Sequence, residues 1–301
     1  MTWKTDLTLG SVGRIHDRSH RQDCTRKKVG TVILADLAKA SRTRVESAKD
    51  RVTLSELRDH VLCHGKPRKF NRREDFAFEN SLKDQEISFV CEVKKASPSK
   101  GVIAPEFPYL QIALEYEDVG AQGISVVTEP EFFKGSDAYL REISEAVDIP
   151  VLRKDFVVDE YQIYEAKVLG ADCVLLICAL LDAKVIKRFI GICDDLGLSA
   201  LVEAHNEDEI FAAMTAGARM IGVNNRDLNT FEVDFKACIS LRPLVPEHII
   251  YVAESGIQTR DHVLALEQAR VDAVLIGEAL MKSSDKKRML SYLKGDISDQ
   301  D

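Results

Sequence analysis

Short apolar, β-prone runs alternate with amphipathic helical stretches from Phe89 onward. The runs are Phe89–Val93, Ile124–Thr128, Pro150–Phe156, Cys173–Cys178, Ala200–Glu203, Met220–Asn224, Ile249–Ala253 and Ala273–Ile276. Between them lie patterns of helical period, among them Tyr161–Leu169, Ala183–Leu196, Glu207–Ala216 and Asp261–Ala269. Gly170, Gly197 and Gly217 each stand just past such a pattern, where a left-handed residue ends a helix. The tripeptides Gly120-Ala121-Gln122, Gly170-Ala171-Asp172 and Gly217-Ala218-Arg219 repeat the device, so one βα unit is copied along the chain. Near-continuous apolar strands separated by helices predict a parallel sheet covered by helices. Eight such units predict an α/β protein of the (β/α)8 TIM barrel class. An open, doubly wound sheet is the competing arrangement, but no G-x-G-x-x-G follows the first strand and no P-loop spacing occurs.

Ahead of the barrel, Ile33, Leu34, Leu37 and Ala38 predict an amphipathic helix from Ile33 to about Lys49. Thr53 and Glu56 have capping-box spacing and predict a second helix over Leu54–Leu62, broken by Gly65 and Pro67. The apolar positions Leu54, Leu57 and Val61 need a surface, and a closed barrel has no edge strand to give them one. Met1 to Gly30 are polar, rich in Arg, Lys and His, and lack periodicity. The expected division is therefore 1–30 as a disordered or mis-assigned extension, 31–85 as an N-terminal helical extension packed on the barrel, 86–297 as the barrel, and 298–301 as a tail. Asp6, Asp17 and Asp23 argue against a transit peptide, and no apolar h-region marks a secretory signal.

In a barrel, chemistry sits where the strands end and the βα loops converge. The first strand ends in Glu92 and Lys94, alternating with Val93 and so sharing a face, while Lys95 points the other way. The second gives Thr128 and Glu129, the third Lys154 and Asp155, and the fourth stays apolar to Ile177 and Cys178. The fifth gives Glu203 and His205, the sixth Asn224 and Arg226, the seventh Glu254 and Ser255, and the eighth Gly277 and Glu278. Charged groups inside apolar strands are costly unless paired or used. Lysines and glutamates converging on one mouth point to acid–base catalysis. The ends Glu254-Ser255-Gly256-Ile257 and Ile276-Gly277-Glu278 suit backbone N–H contacts to a phosphate.

Composition narrows this picture. The 301 residues carry a net charge of −8, which is no basic footprint for nucleic acid. The longest apolar run, Cys173 to Leu181, is too short to cross a bilayer. Seven cysteines include no C-x-x-C pair, and most lie in apolar segments, which fits small hydrophobes in a reducing, cytoplasmic setting. His60, Cys63 and His64 match no common zinc spacing, so no metal is expected.

The run Glu92-Val-Lys94-Lys-Ala-Ser97-Pro98-Ser99-Lys-Gly101 resembles the signature of the indole-3-glycerol-phosphate synthase family of tryptophan biosynthesis. The likeness continues through Phe133-Lys-Gly135-Ser136, Leu152-Arg-Lys154-Asp155-Phe156, Glu203-Ala-His, Ile221-Gly-Val-Asn224-Asn-Arg226-Asp-Leu228 and Ala253-Glu254-Ser255-Gly256-Ile257, spanning about Ile33 to Leu293. It implies ring closure of 1-(2-carboxyphenylamino)-1-deoxyribulose 5-phosphate, with loss of carbon dioxide and water. It also implies that Lys154 protonates the ketone oxygen. Dehydration needs an acid for the leaving hydroxyl and a base for the ring-nitrogen proton, and Lys94, Glu92 and Glu203 share these roles in an order the sequence leaves open. Asn224 and Glu254 would hold substrate hydroxyls, and Glu254 the lysine network as well. The phosphate would meet Arg226, Ser255, Gly256, Ile257, Gly277 and the backbone of Glu278, with Lys94 near; the Glu278 side chain is expected to turn away. Pro98, Phe133, Phe156, Leu175, Ile177 and Leu228 would form an aromatic slot, with Ser97 at the substrate carboxylate. No metal or organic cofactor is implied, and the partner is a small phosphorylated substrate, not nucleic acid or membrane. Association with other tryptophan-pathway enzymes stays open. The resemblance further implies that the N-terminal extension lies over the barrel mouth.

Two other readings compete. Phosphoribosylanthranilate isomerase is also a phosphate-binding barrel, but its chemistry calls for a cysteine or carboxylate pair, not two lysines on strands one and three. A non-catalytic barrel subunit would have no need of Glu92, Lys94, Lys154 and Glu203 together.

Overall fold

The structure is a computed structural model that describes residues 19–64, 73–83, 85–227 and 230–298; of 19–33 and 63–64 it describes the backbone alone. The side chains of Ile33, Cys63 and His64, and all of Leu228, therefore lie outside the described residues. Three helices come first: α1 (Ser19–Lys49), α2 (Leu54–His64) and α3 (Ala77–Ser81). Strand β1 (Ser88–Val93) is followed by a small hairpin, β2 (Ala96–Ser97) and β3 (Gly101–Val102). The βα units then run α4 (Tyr109–Asp118), β4 (Gly123–Val127), α5 (Asp137–Ala146), β5 (Val151–Lys154), α6 (Tyr161–Val168), β6 (Cys173–Ile177) and α7 (Ala183–Asp195). They continue with β7 (Ser199–Ala204), α8 (Glu207–Ala216), β8 (Met220–Asn224), α9 (Lys236–Leu241), β9 (Ile250–Glu254), α10 (Arg260–Gln268) and β10 (Ala273–Ile276), closing with α11 (Glu278–Lys282) and α12 (Lys286–Lys294).

Eight parallel strands form one closed barrel in the order β1-β10-β9-β8-β7-β6-β5-β4. Every apolar run read from the sequence is one of these strands, shifted by a residue or two at the ends. Gly170, Gly197 and Gly217 have φ of 91°, 62° and 90°, the left-handed stops that end α6, α7 and α8. Side chains of alternate strand residues go inward and outward. The outward set packs under the helices, while Val90, Leu152, Leu175, Leu201, Met220, Val252 and Leu275 fill the interior. The register brings the strand ends level: Ile177 pairs with Glu203, and the polar Asn224 with Glu254.

The barrel's lower end is closed by α3, an element too short to show helical periodicity in the sequence. Phe78 and Leu82 join the interior core, and a Cβ at Gly123 would come within 3.0 Å of the Phe78 ring. Gly123 therefore makes room for the plug. At the other end, Leu37, Ala38, Ser41, Val45 and Ala48 recur on one face of α1 and are buried. The helix expected from Ile33 starts earlier, at Ser19. The capping box at α2 is present, with Thr53 N–H donating to Glu56 Oε2 at 2.8 Å and Glu56 N–H to Thr53 Oγ1 at 3.2 Å. Among the described residues, no helix is long and apolar enough to cross a membrane.

Candidate active site

A cavity of about 590 Å³ opens at the C-terminal ends of the strands. On its β5–β7–β9 side, Lys154 Nζ donates to Glu203 Oε2 at 2.8 Å and to Glu254 Oε2 at 2.7 Å. Across the cavity on β1, Lys94 Nζ lies 2.5 Å from Glu92 Oε1. Glu92, Glu203 and Glu254 are all buried. Asn224 Nδ2 donates to Glu203 Oε1 at 3.3 Å, so the β8 side chain fixes the β7 carboxylate. Glu254 Oε1 is buried with no hydrogen-bond partner. The six residues to which the resemblance gives catalytic or orienting roles, Glu92, Lys94, Lys154, Glu203, Asn224 and Glu254, all line this one cavity.

Two glycines make that packing feasible. A Cβ at Gly222 would stand 2.2 Å from Glu254 Oε1, and one at Gly277 would stand 2.3 Å from Glu92 Oε1. Gly277 has φ −123°, so no left-handed backbone demands glycine there. Its missing side chain houses a carboxylate, a reason distinct from the phosphate contact read from the sequence.

The charges act on one another strongly. Burial works against the Lys154 ammonium, but Glu203, Glu254 and Glu92 outweigh it and hold the group well above the ordinary lysine value of 10.5. Burial likewise opposes ionisation of Glu203, yet Lys154 and His205 prevail and keep its carboxyl below the ordinary range. At Glu254 burial wins: despite Lys154, the carboxyl is pushed up, with Glu203 and Glu92 adding to the effect. Two carboxylates on one lysine thus differ, one firmly ionised and one reluctant.

Pro98, Phe133, Phe156, Leu175 and Ile177 all line the cavity, with the Phe133 and Phe156 rings 5.8 Å apart. Ser97 lines the rim from the β2–β3 hairpin. Sequence reasoning missed Leu34 and Leu37 of α1 as cavity walls, along with Phe231, Val233 and Phe235 of the loop after β8. It also missed Arg44, whose Nη2 donates to Asp155 Oδ1 at 2.7 Å and ties α1 to the β5 end. Thr128, Glu129 and Asp155 prove to be supports. Glu129 accepts the backbone N–H groups of Glu131, Phe132 and Phe133 at 2.8–2.9 Å, and Asp155 is taken by Arg44, Thr128 and the N–H of Phe156.

At the other end of the cavity, Ser255 and Gly256 have φ of 64° and 82°, two successive left-handed residues that turn the chain tightly. Asn225 Nδ2 holds that turn by donating to the Ser255 carbonyl at 2.9 Å. Arg226, Ile257, Gly277 and Glu278 complete this end. The Glu278 carboxylate does not turn away as expected. It accepts from Arg226 Nη2 at 3.3 Å and from Lys282 Nζ at 2.6 Å, with Lys100 Nζ at 3.8 Å. The attraction of Arg226, Lys282 and Lys100 decides its rotamer.

The family model for indole-3-glycerol phosphate synthase matches residues 34–293. The chain is 53% identical over 264 residues to the indole-3-glycerol phosphate synthase of Ruminiclostridium cellulolyticum, covering 88% of this chain and 99% of that one. It is 52% identical over 264 residues to the enzyme of that name from Endomicrobium trichonymphae, covering 87% and 100%. Among solved structures, 3-hexulose-6-phosphate synthase from Salmonella typhimurium superposes with TM-score 0.56 at 15% identity, covering 69% of this chain and 97% of that one. Thiamine phosphate pyrophosphorylase from Pyrococcus furiosus gives 0.51 at 17% identity, covering 70% and 95%. Those two share the barrel alone; the sequence relatives share the whole span that carries the lysines and carboxylates. The chain belongs to the indole-3-glycerol phosphate synthase family.

Proposed function

We infer that this protein converts 1-(2-carboxyphenylamino)-1-deoxyribulose 5-phosphate to indole-3-glycerol phosphate, a decarboxylating lyase step of tryptophan biosynthesis. One observation carries the reading: two separate lysine–carboxylate units, Lys154 with Glu203 and Glu254, and Lys94 with Glu92, face each other across one cavity. The reaction needs two acids in succession, and this is an arrangement that supplies them. An ammonium has three N–H donors. Glu203 and Glu254 take two from Lys154. The third is left for the ketone oxygen, which receives its proton as the ring carbon bonds to the ketone carbon. Carbon dioxide then leaves and its bonding pair restores the aromatic ring. Water leaves last: Lys94 protonates the departing hydroxyl, and an ionised carboxylate takes the proton the ring gives up. Glu203, kept ionised by Lys154, is the base best prepared for that, with Glu92 beside Lys94 the other.

Asn224 and Glu254 are read as the residues that hold substrate hydroxyls, which requires Asn224 to exchange its bond to Glu203 for one to substrate. The phosphate end is read as Arg226, the N–H groups of Ser255, Gly256 and Ile257, and the turn at Gly277 and Glu278. The aromatic ring lies between Pro98, Phe133, Phe156, Leu175 and Ile177, with Leu228 close by in the chain, and Ser97 meets its carboxylate. No cofactor enters these steps. The cysteines Cys91, Cys173, Cys178, Cys193 and Cys238 are free thiols, which supports a cytoplasmic setting. Association with other enzymes of the pathway is the natural extension. The division into a 31–85 extension and an 86–297 barrel is proposed on the same footing. The test is direct: incubate the purified protein with the anthranilate-derived ribulose phosphate and follow indole absorbance. An isomerase or a scaffold barrel produces none.

A further inference from the structure

We propose that His205 is a positioning residue that shares a proton with Glu203 and sets how readily that carboxylate acts as a base. The idea rests on the reading of Glu203 given above. His205 does not line the cavity; it stands behind Glu203. Its ring is held by α8: Nδ1 lies 3.1 Å from Glu209 Oε2, and the same oxygen accepts the His205 backbone N–H at 2.9 Å. Asn206 Nδ2 fixes the other Glu209 oxygen at 3.1 Å. A carboxylate acceptor at Nδ1 requires a proton on that nitrogen. Nε2 then faces Glu203 Oε1 at 3.5 Å, buried and without a formal hydrogen bond.

A neutral ring would set the Nε2 lone pair against an ionised carboxylate, two acceptors with no proton between them. Either the ring is an imidazolium or Glu203 carries the proton. The surrounding charges choose the first. Glu203 on β7, Glu209 on α8 and Glu254 on β9 all favour the cation, against burial, and raise the histidine above its ordinary value. Cys178, after β6, donates its Sγ–H to the Glu209 carbonyl at 3.5 Å. Glu203 is thus clamped between two cations, Lys154 and His205, with Asn224 on the His205-facing oxygen. The second cation lowers its basicity and fixes the direction of its lone pairs.

The decisive measurement is 15N NMR of the histidine ring in the intact wild-type protein, the His205 signal being assigned by its absence in His205→Asn. Both ring nitrogens should be protonated at pH 6.5, with the titration lying above that ordinary value. In His205→Asn, loss of the cation should raise the Glu203 pKa, moving the acid limb of the kcat profile up by about 0.5–1 pH unit. KM should stay within about two-fold, since the ring touches no substrate. Glu209→Gln, which keeps the ring but weakens its anchor, should move the limb the same way by less. A His205 that is mostly neutral at pH 6.5, or an unmoved limb in folded His205→Asn, overturns the proposal. The NMR titration reads the pair whether or not the protein forms indole, so failure of the assay above and failure here are separate results.

Discussion

The two ends of the active-site cavity are built on different principles. The acid–base end is made of side chains at the ends of strands β1, β5, β7 and β9, with buried carboxylates bonded to half-buried lysines in two separate units. Gly222 leaves room there for Glu254, and Gly277, where the two ends meet, leaves room for Glu92. The phosphate end is made of loop backbone, the left-handed turn at Ser255 and Gly256, and one part-exposed ion pair between Arg226 and Glu278. Strand-borne groups inherit the rigidity of the ladder, so a small displacement is felt at the reacting atoms. Loop-borne groups meet an anion that stays bound throughout the reaction and tolerate adjustment. Perturbations at the first end should therefore appear in kcat, and at the second in KM.

The largest expected effect is at Lys154. Lys154→Ala removes the proton donor and leaves Glu203 and Glu254 without their shared cation. We expect kcat to fall by about 10²–10⁴-fold, with substrate still bound through its phosphate. Steady-state kinetics on protein shown to be folded by its thermal transition checks this. More than about a tenth of wild-type kcat would remove Lys154 from the acid role, since a positioned acid contributes far more than that.

Next comes a matched pair of glycine substitutions that sets one end against the other. In Gly277→Ala the backbone at φ −123° accepts alanine, but the new Cβ displaces Glu92 and with it Lys94. A shift of this kind in a packed site costs about 1–3 kcal/mol, so kcat should drop about ten-fold or more, with a smaller change in KM. In Gly256→Val the left-handed φ of 82° is strained, and even the Cβ meets Val233 at 2.6 Å. There KM should rise about ten-fold while kcat stays near wild type. A reversed pattern would mean that the two ends have been assigned the wrong way round.

How much of this is readable in the chain differs between the ends for a physical reason. The strands announce themselves because buried parallel strands are continuous apolar runs, so Lys154 or Glu203 at the end of one stands out by residue type alone. The loop end carries its information in backbone angles and in contacts distant in sequence. Nothing in periodicity pairs Arg44 with Asp155, 111 positions on. Helix α3, five residues long, is too short for a helical repeat, and the β2–β3 hairpin has two residues per strand. Gly277 was legible as a glycine but not its reason, because the carboxylate it accommodates comes from β1, at the far end of the chain. The Glu278 rotamer is set by Lys100, Arg226 and Lys282 together, a sum of charges no local pattern displays.

The unequal carboxylates on Lys154 give a smaller, pH-dependent effect. A raised carboxyl contributes stability that is fully present below its unfolded value and is lost as pH rises through its folded value. For Glu254 that window opens above the ordinary 4.5 and extends up through its higher folded value. Glu203 has the opposite sign: its lowered carboxyl contributes above the ordinary range, and that contribution is lost only in acid. Glu254→Gln removes the first group alone. Its thermal midpoint relative to wild type should therefore climb between pH 5 and pH 9, by about 2–4 °C for each kcal/mol of ionisation cost removed. A constant difference across that range would show that Glu254 ionises as an ordinary carboxylate.

The smallest effect tests the phosphate end from the charge side. Glu278 bonds Arg226 at 3.3 Å, and both side chains keep about a fifth of their surface exposed, at 21% and 23%. An ion pair so placed is worth about 1 kcal/mol or less. A phosphate arriving beside Gly256 must compete with this carboxylate for Arg226 and for Lys100, and it also feels the carboxylate's own negative charge. Glu278→Gln removes both penalties while keeping the size of the side chain and leaving β10 and its backbone untouched. KM should fall by about two- to five-fold, the range that 1 kcal/mol allows, and kcat should not move. The gain should shrink as salt is raised from 50 to 500 mM, because part-exposed charges are screened within about a Debye length. A rise in KM would make Glu278 a holder of Arg226 in its binding pose instead of a competitor for it. A change in kcat would carry its influence across the cavity to the lysines and erase the division between the two ends.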